Sequence, residues 1–270
     1  MSFKGFTRVL VVLSVVLWAD SAHAMLLTDG LVAYWNLDEA SGTRLDSVGS
    51  NHLADNNTVT QAPGIKNGAA KFTSANVEFL KVADNPSINT NDTDFTVALW
   101  AYLDDKNTSY SFIEKGVEFE IGYEGPPGID RMLLLVQEPT VQINSDAFGS
   151  PPIGEWMFAV AWKDIAAGTV NLQLNNGIVE SAAFINTSIN PMTPLQIGAR
   201  SSPSRPLNGR VDEVGLWKRV LSAEERTALY EEPGVLDREI PSAPIIPEPS
   251  SLLLLGSGLL GLAGWRRRLF

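Results

Sequence analysis

From Leu31 onward, apolar and polar positions alternate in short runs, the period of half-buried strands. Leu31, Ala33, Trp35 and Leu37 alternate with Val32, Tyr34, Asn36 and Asp38. A polar loop rich in Gly and Asn follows, through Gly42, Asp46, Gly49 and Asn51. Further strands are predicted at residues 70–73, 77–82, 112–113, 117–123 and 132–137, separated by turns such as Gly125-Pro126-Pro127-Gly128. Residues 94–103 (DFTVALWAYL) are apolar on both faces, as in a central strand covered on each side. Residues 155–162 (EWMFAVAW) place Trp156, Phe158, Val160 and Trp162 on one face and Met157, Ala159 and Ala161 on the other, an asymmetry suited to close packing of two sheets. Strands at 170–174 and 178–184 flank Asn175-Asn176-Gly177, where Asn-Gly offers the positive φ of a tight hairpin. The series ends with strands at 195–197 and 211–217.

One helix is predicted. Ser222-Ala223-Glu224-Glu225 is a capping box, with Ser222 as N-cap and Glu225 at N3, leading into residues 226–230. Pro233-Gly234 then stops it, and Pro233, Pro241, Pro244, Pro247 and Pro249 mark an extended spacer. A dozen short strands, frequent turns and one late helix define an all-β, two-sheet antiparallel sandwich.

The two ends carry addresses. Lys4 and Arg8 precede an apolar core from Val9 to Trp18, and Ala22-His23-Ala24 forms a small-x-small cleavage site, so residues 1–24 read as a signal peptide. At the other end stand Pro247-Glu248-Pro249, an apolar run and Arg266-Arg267-Arg268. The run 251–265 would make about 22 Å of helix, against a hydrocarbon core of about 30 Å. The arginines suit the cytoplasmic side of a membrane. This three-part tail resembles the PEP-CTERM sorting signal of Gram-negative bacteria. The resemblance implies transient anchoring in the inner membrane, recognition by an exosortase near Pro247, Glu248 and Pro249, and delivery to the cell envelope, outer surface or extracellular matrix. The expected organisation is a signal peptide (1–24), a β domain (25–232), a Pro-rich linker (233–246) and a sorting signal (247–270) with a transmembrane segment at 251–265.

Charge and cysteine content narrow the chemistry. The chain carries 20 basic and 31 acidic residues, a net charge of −11 that deepens once the basic ends are lost. Nucleic acid and anionic lipid surfaces would repel such a domain, and both are excluded as partners. There is no cysteine, so neither disulfides nor thiolate chemistry contribute. Beyond the signal peptide His52 is the only histidine, and no Gly-x-Ser-x-Gly turn accompanies it, which argues against a Ser-His-Asp hydrolase.

The motif series LVAYWNLDEASGTRLDSVGSNH, DFTVALWAYL, GEWMFAVAW, NLQLNNGIV, PLQIGA and LNGRVDEVGLWKRVLSAEERTALY, spanning about residues 29–230, is similar to laminin G-like, concanavalin A-like jelly rolls. The resemblance implies a module that binds glycan or matrix material, and proteins with PEP-CTERM tails are associated with exopolysaccharide. A structural or adhesion protein with a protein partner is the alternative; a polysaccharide hydrolase or lyase is a third.

Two acidic motifs bear on this choice. Period two pairs Asp212 with Val214 and Leu216, and Glu213 with Val211 and Trp217, so one carboxylate shares a face with apolar residues and needs a partner. Laminin G-like domains often bind calcium, so the resemblance implies Asp212 and Asp46 as Ca²⁺ ligands; the other reading is that Asp212 accepts backbone amides with no ion. Glycoside hydrolases of this jelly roll carry Glu-x-Asp-x-Glu or Glu-x-Asp-x-x-Glu on one strand. Here Glu118, Glu120 and Glu124 lack the central Asp, and no catalytic residue is assigned. Trp35, Trp100, Trp156, Trp162 and Trp217 all lie within strands, which favours core packing over sugar stacking. Residues 124–131, with neighbouring Tyr123, and 200–210, with Arg200, Arg205 and Arg210, are the loops best placed to touch a ligand.

Overall fold

The structure is a computed structural model, and it describes residues 26–240 except 138–139, 186–191 and 203. The described residues form β1 (Leu31–Trp35), β2 (Ala54–Asn56), β3 (Thr60–Pro63), β4 (Gly68–Phe72), β5 (Phe79–Val82), β6 (Phe95–Leu103) and β7 (Tyr110–Lys115). They continue with β8 (Phe119–Glu124), β9 (Arg131–Gln137), β10 (Thr140–Asn144), β11 (Trp156–Asp164) and β12 (Thr169–Leu174). The last strands are β13 (Val179–Ala183), β14 (Leu195–Ile197) and β15 (Gly209–Trp217), followed by α1 (Ala223–Glu231) and α2 (Val235–Glu239). The predicted signal peptide, the spacer beyond residue 240 and the tail from Ile246 lie outside the described residues. Among the described residues no helix is long and apolar enough to cross a membrane.

Two antiparallel sheets stack face to face. One runs β13-β12-β11-β6-β15-β4-β3, with β1 also pairing β15; the other runs β10-β9-β8-β7-β14-β5-β2. Every pairing is antiparallel, as expected for a sandwich built without crossover helices. The doubly apolar strand β6 sits between β11 and β15 and is buried along nearly its whole length. The elements missed by pattern reading, β2, β3 and β10, are short, polar and at sheet edges, where one-sided exposure erases the alternation.

The described residues form two apolar cores. Between the sheets lie residues such as Trp35, Phe72, Leu99, Phe112, Phe119, Ile121 and Leu216. The second covers the outer face of the β6–β11–β15 sheet, where Trp100, Phe158, Val160, Trp162 and Trp217 pack under Leu27, Leu31, Leu229, Val235 and Leu236. Strand β11 feeds both: Met157, Ala159 and Ala161 face the partner sheet, and their small size brings the sheets close, while its aromatic face turns outward beneath the helices.

Helix α1 starts as its sequence dictates, with Ser222 and Glu225 exchanging both capping-box bonds. Its Tyr230 stacks on Trp100, and Arg226 lies 4.1 Å over the Trp162 ring. The spacer expected from Pro233 begins later. Pro233-Gly234 ends α1, but Gly234, at φ +79°, reverses the chain into α2, and Val235 and Leu236 close the outer core. The hairpin turn also differs in detail. Positive φ falls on Asn175 and Asn176, not on Gly177, which suits asparagine's tolerance of the left-handed region.

Candidate functional site

The Val211–Trp217 segment does not keep period two. A β-bulge lies between Asp212 and Gly215, with Glu213 at φ +53°. Val211, Val214 and Leu216 therefore all face the inter-sheet core, whereas Trp217 turns outward. Gly215 is required here, since a Cβ would meet the Trp217 ring at 2.3 Å.

The bulge buries two adjacent carboxylates. Asp212 is fully buried; its Oδ2 accepts the amides of Ile65 at 2.9 Å and Lys66 at 3.3 Å, and its Oδ1 accepts the Glu213 amide at 2.9 Å. Glu213 receives the Tyr34 hydroxyl on Oε2 at 2.5 Å, and its buried Oε1 has no partner. Asp237 of α2 lies 3.1 Å from the same Tyr34 oxygen. A phenol has one proton to give, so Tyr34 can serve only one of the two carboxylates at a time. Among the described residues no cation pairs with Asp212 or Glu213. Burial first, and then Glu213, push the Asp212 carboxyl up to about 8. Burial first, with Asp237 and Asp38 adding to it against the Tyr34 hydrogen bond, pushes Glu213 up to about 7. The Tyr34 hydroxyl is raised as well, by burial and then by Glu213.

Asp46 serves a different network. Its Oδ1 accepts the amides of Tyr34 and Val48, and its Oδ2 accepts the amide and side-chain Nδ2 of Asn51, all at 3.0–3.1 Å. It thereby pins the 46–51 loop to β1, and Trp35 Nε1 adds a bond to the Asn51 carbonyl. Both Asp46 oxygens are thus occupied by two N–H donors each, and Asp212 answers to other amides. The two carboxylates do not fit a shared Ca²⁺, which needs free oxygens on several ligands. Among the described residues no group of three or more acids or histidines is arranged to hold a metal. Calcium added to chelator-treated protein is expected to leave Tm unchanged, and Asp46→Ala to cost about 2–4 kcal/mol by stranding buried amides. A calcium-dependent rise in Tm that disappears in Asp46→Ala would restore the ion.

The glutamates of the Glu118–Glu124 run are also committed. Glu118 Oε2 accepts the Thr90 amide and hydroxyl at 2.7 Å, and Lys115 Nζ lies 3.2 Å from its Oε1. Glu120, fully buried, takes Arg200 Nε at 2.9 Å on both oxygens, with Arg200 Nη2 closing the fork. Across the strand pair Glu120 faces Glu114, which accepts the Ser201 amide and whose carboxyl is raised chiefly by burial. Glu124 pairs with Arg205 at 3.6 Å. Arg200, Ser201 and Arg205 thus reach the second sheet, where the two arginines neutralise Glu120 and Glu124. Arg210 differs: it stacks 4.3 Å over Tyr102, and no described carboxylate pairs with it. The 124–131 loop is likewise knitted, Asp130 receiving the Tyr123 hydroxyl at 2.7 Å and Lys106 Nζ at 2.9 Å.

The tryptophans divide as core packing requires, with one exception. Trp35 and Trp217 are fully buried, and Trp100 and Trp162 are 6% exposed. Trp156, at the start of β11, is only half-buried and meets Tyr102 at 5.3 Å. Neither Tyr102 nor the contrast between Arg210 and its two loop neighbours is announced by sequence, since both arise from cross-strand placement.

Comparison with known proteins gives two family matches: the concanavalin A-like lectin/glucanases superfamily model over residues 75–225, and the PEP-CTERM protein-sorting motif over residues 246–268. No curated protein sequence matches. Among solved structures, the binding domain of botulinum neurotoxin DC in complex with rat synaptotagmin II is 14% identical, with TM-score 0.59, covering 76% of this chain and 52% of that one. The binding domain of Paraclostridial Mosquitocidal Protein 1 is 18% identical, with TM-score 0.60, covering 76% and 52%. Domain 4 of AbnA, a GH43 extracellular arabinanase from Geobacillus stearothermophilus in complex with arabinotriose, is 19% identical, with TM-score 0.57, covering 74% and 98%. The chain spans about half the length of the toxin domains it matches. At these identities the likeness is one of fold.

Proposed function

This chain belongs to the concanavalin A-like lectin/glucanases superfamily, and from that premise we propose that it is an exported, non-catalytic module that binds glycan or matrix material at the cell envelope. The sorting motif marks the chain for export and exosortase processing. The observation that carries the non-catalytic reading is the pairing of Glu120 with Arg200. Glycoside hydrolysis needs one carboxyl to donate a proton and a second to attack or activate water. Glu120 is held as a buried ion pair and Glu118 is spent on Thr90 and Lys115, so neither is free to do so. The likeness to an arabinanase domain in complex with arabinotriose agrees with a binding role for such a sandwich.

The test is retention of the full chain in gels containing neutral polysaccharides (arabinan, β-glucan, galactomannan) or acidic ones (alginate, polygalacturonate), with reducing ends measured in parallel. Retention without product release is expected. No retention on any of them would overturn glycan binding in favour of a protein partner. Release of reducing ends that vanishes in Glu120→Gln would make the protein an enzyme.

A further inference from the structure

Five residues on five adjacent strands line up across the outer face of the first sheet. Thr60 pairs with Lys71, Lys71 with Arg210, Arg210 with Tyr102, and Tyr102 with Trp156. At about 4.8 Å per strand the row is roughly 19 Å long. The parallel row two residues away, Phe158, Trp100 and Asp212, is buried with the outer core. The Thr60–Trp156 row is the first one outside that cover: Thr60 is exposed and the other four are half-buried.

Its chemistry is graded. Trp156 and Tyr102 meet near edge-on, at 62° between planes, and the Arg210 guanidinium lies over Tyr102. Arg210 Nε is buried without a partner, and Nη1 donates to the Pro63 carbonyl at 3.3 Å. Pro63 is a wall of an open cavity of about 570 Å³ that is also lined by Asp38, Gln61 and Asn67. The row therefore runs from apolar ring surface to one guanidinium unmatched by a carboxylate, while in the cavity wall Gln61 Nε2 donates to the Asp38 carbonyl and Asn67 Nδ2 and the Gly68 amide donate to the Asp38 carboxylate.

We propose that the Trp156–Tyr102–Arg210 row is the glycan-binding surface of this domain, and that it takes a neutral, polyhydroxylated chain. The proposal rests on the glycan-binding reading above and supplies its site. Ring C–H faces of a sugar pack on Trp156 and on the part of Tyr102 that Arg210 leaves uncovered, while hydroxyl pairs meet the fork of Arg210. Charge selects the neutral ligand. Lys71, the other cation of the row, is already paired with Asp104, Asp38 sits in the cavity, and the whole chain carries −11. A polyanion would gain one free guanidinium against that field.

The gel assay above supplies the test, now run with Trp156→Ala and Arg210→Gln, together with hydroxyl-radical footprinting of the unmutated protein. The expected result is retention by at least one neutral polysaccharide, a tenfold or greater loss of affinity in each variant, and protection of Trp156 and Tyr102 from oxidation by that polysaccharide. Footprinting needs no variant and so decides the matter even if a substitution unfolds the domain. Retention with unchanged affinity in folded variants, or without protection of Trp156 and Tyr102, would overturn this site and leave glycan binding standing. Retention by acidic polysaccharides alone would overturn the neutral ligand. No retention at all would remove both readings.

Discussion

Arg200→Ala is expected to cost about 3–5 kcal/mol of folding stability, because it strands a fully buried carboxylate. Among the described residues no other cation pairs with Glu120, and its cross-strand neighbour is a second acid, Glu114. The partner's side chain is itself 23% exposed, so the loss comes from the acid left behind and much less from the arginine removed. Urea unfolding of the variant reads the cost as a lower midpoint. The same logic makes Glu120→Leu with Arg200→Met far milder than Arg200→Ala alone, since an apolar pair of similar volume leaves nothing unpaired. A loss under about 1 kcal/mol in Arg200→Ala would show that the ion pair is idle, and would return Glu120 to the list of residues free for chemistry.

The second large effect is on the pH dependence of stability. Asp212 and Glu213 hold their protons more tightly in the fold than in the unfolded chain, with carboxyls raised from ordinary values to about 8 and about 7. A group raised in this way contributes fully below its unfolded value, near pH 4, and loses its contribution as pH climbs through the folded value. Melting temperature is therefore expected to rise on acidification from pH 8 to pH 5, by at least about 5 °C at roughly 2–4 °C per kcal/mol for a domain of this size. Glu213→Gln isolates the source. Glutamine keeps an acceptor for Tyr34 and removes the buried charge beside Asp212, so the variant is expected to be the more stable protein at pH 8 and to show a shallower slope. A melting temperature that stays flat or falls between pH 8 and pH 5 would sink the argument.

The sandwich was legible because its determinants are local. Alternation in β1, the two apolar faces of β6, the small-against-aromatic split of β11 and the capping box of α1 each lie within ten residues. What escaped was the consequence of one bulge. Period two assigns Asp212 and Glu213 to opposite faces, and only the left-handed Glu213 lets both avoid the inter-sheet core. The partners escaped for a related reason. Glu120 finds Arg200 80 residues away, and Tyr34 finds Glu213 179 residues away, spacings that no motif encodes. The Trp156–Tyr102–Arg210 row belongs with these. Each member reads as an ordinary strand residue, and the row exists only in the registers of β11 with β6 and β6 with β15. Helix α2 escaped because Pro233-Gly234 reads as a stop, whereas the fold uses the glycine to turn back.

The pairing of β1 with β15 bears on when this domain can exist as a folded body. Leu31 sits opposite Trp217, and Trp217 Nε1 reaches back to the Leu27 carbonyl at 2.7 Å. Among the described strands the first thus waits for the last, and with no cysteine there is no covalent shortcut. Contacts of such high sequence separation close slowly, since the loop entropy is lost before any pairing repays it. The partner of β1 arrives only with residues 209–217, so the first sheet, in which that same strand also joins β6 to β4, can close only once nearly the whole domain is present.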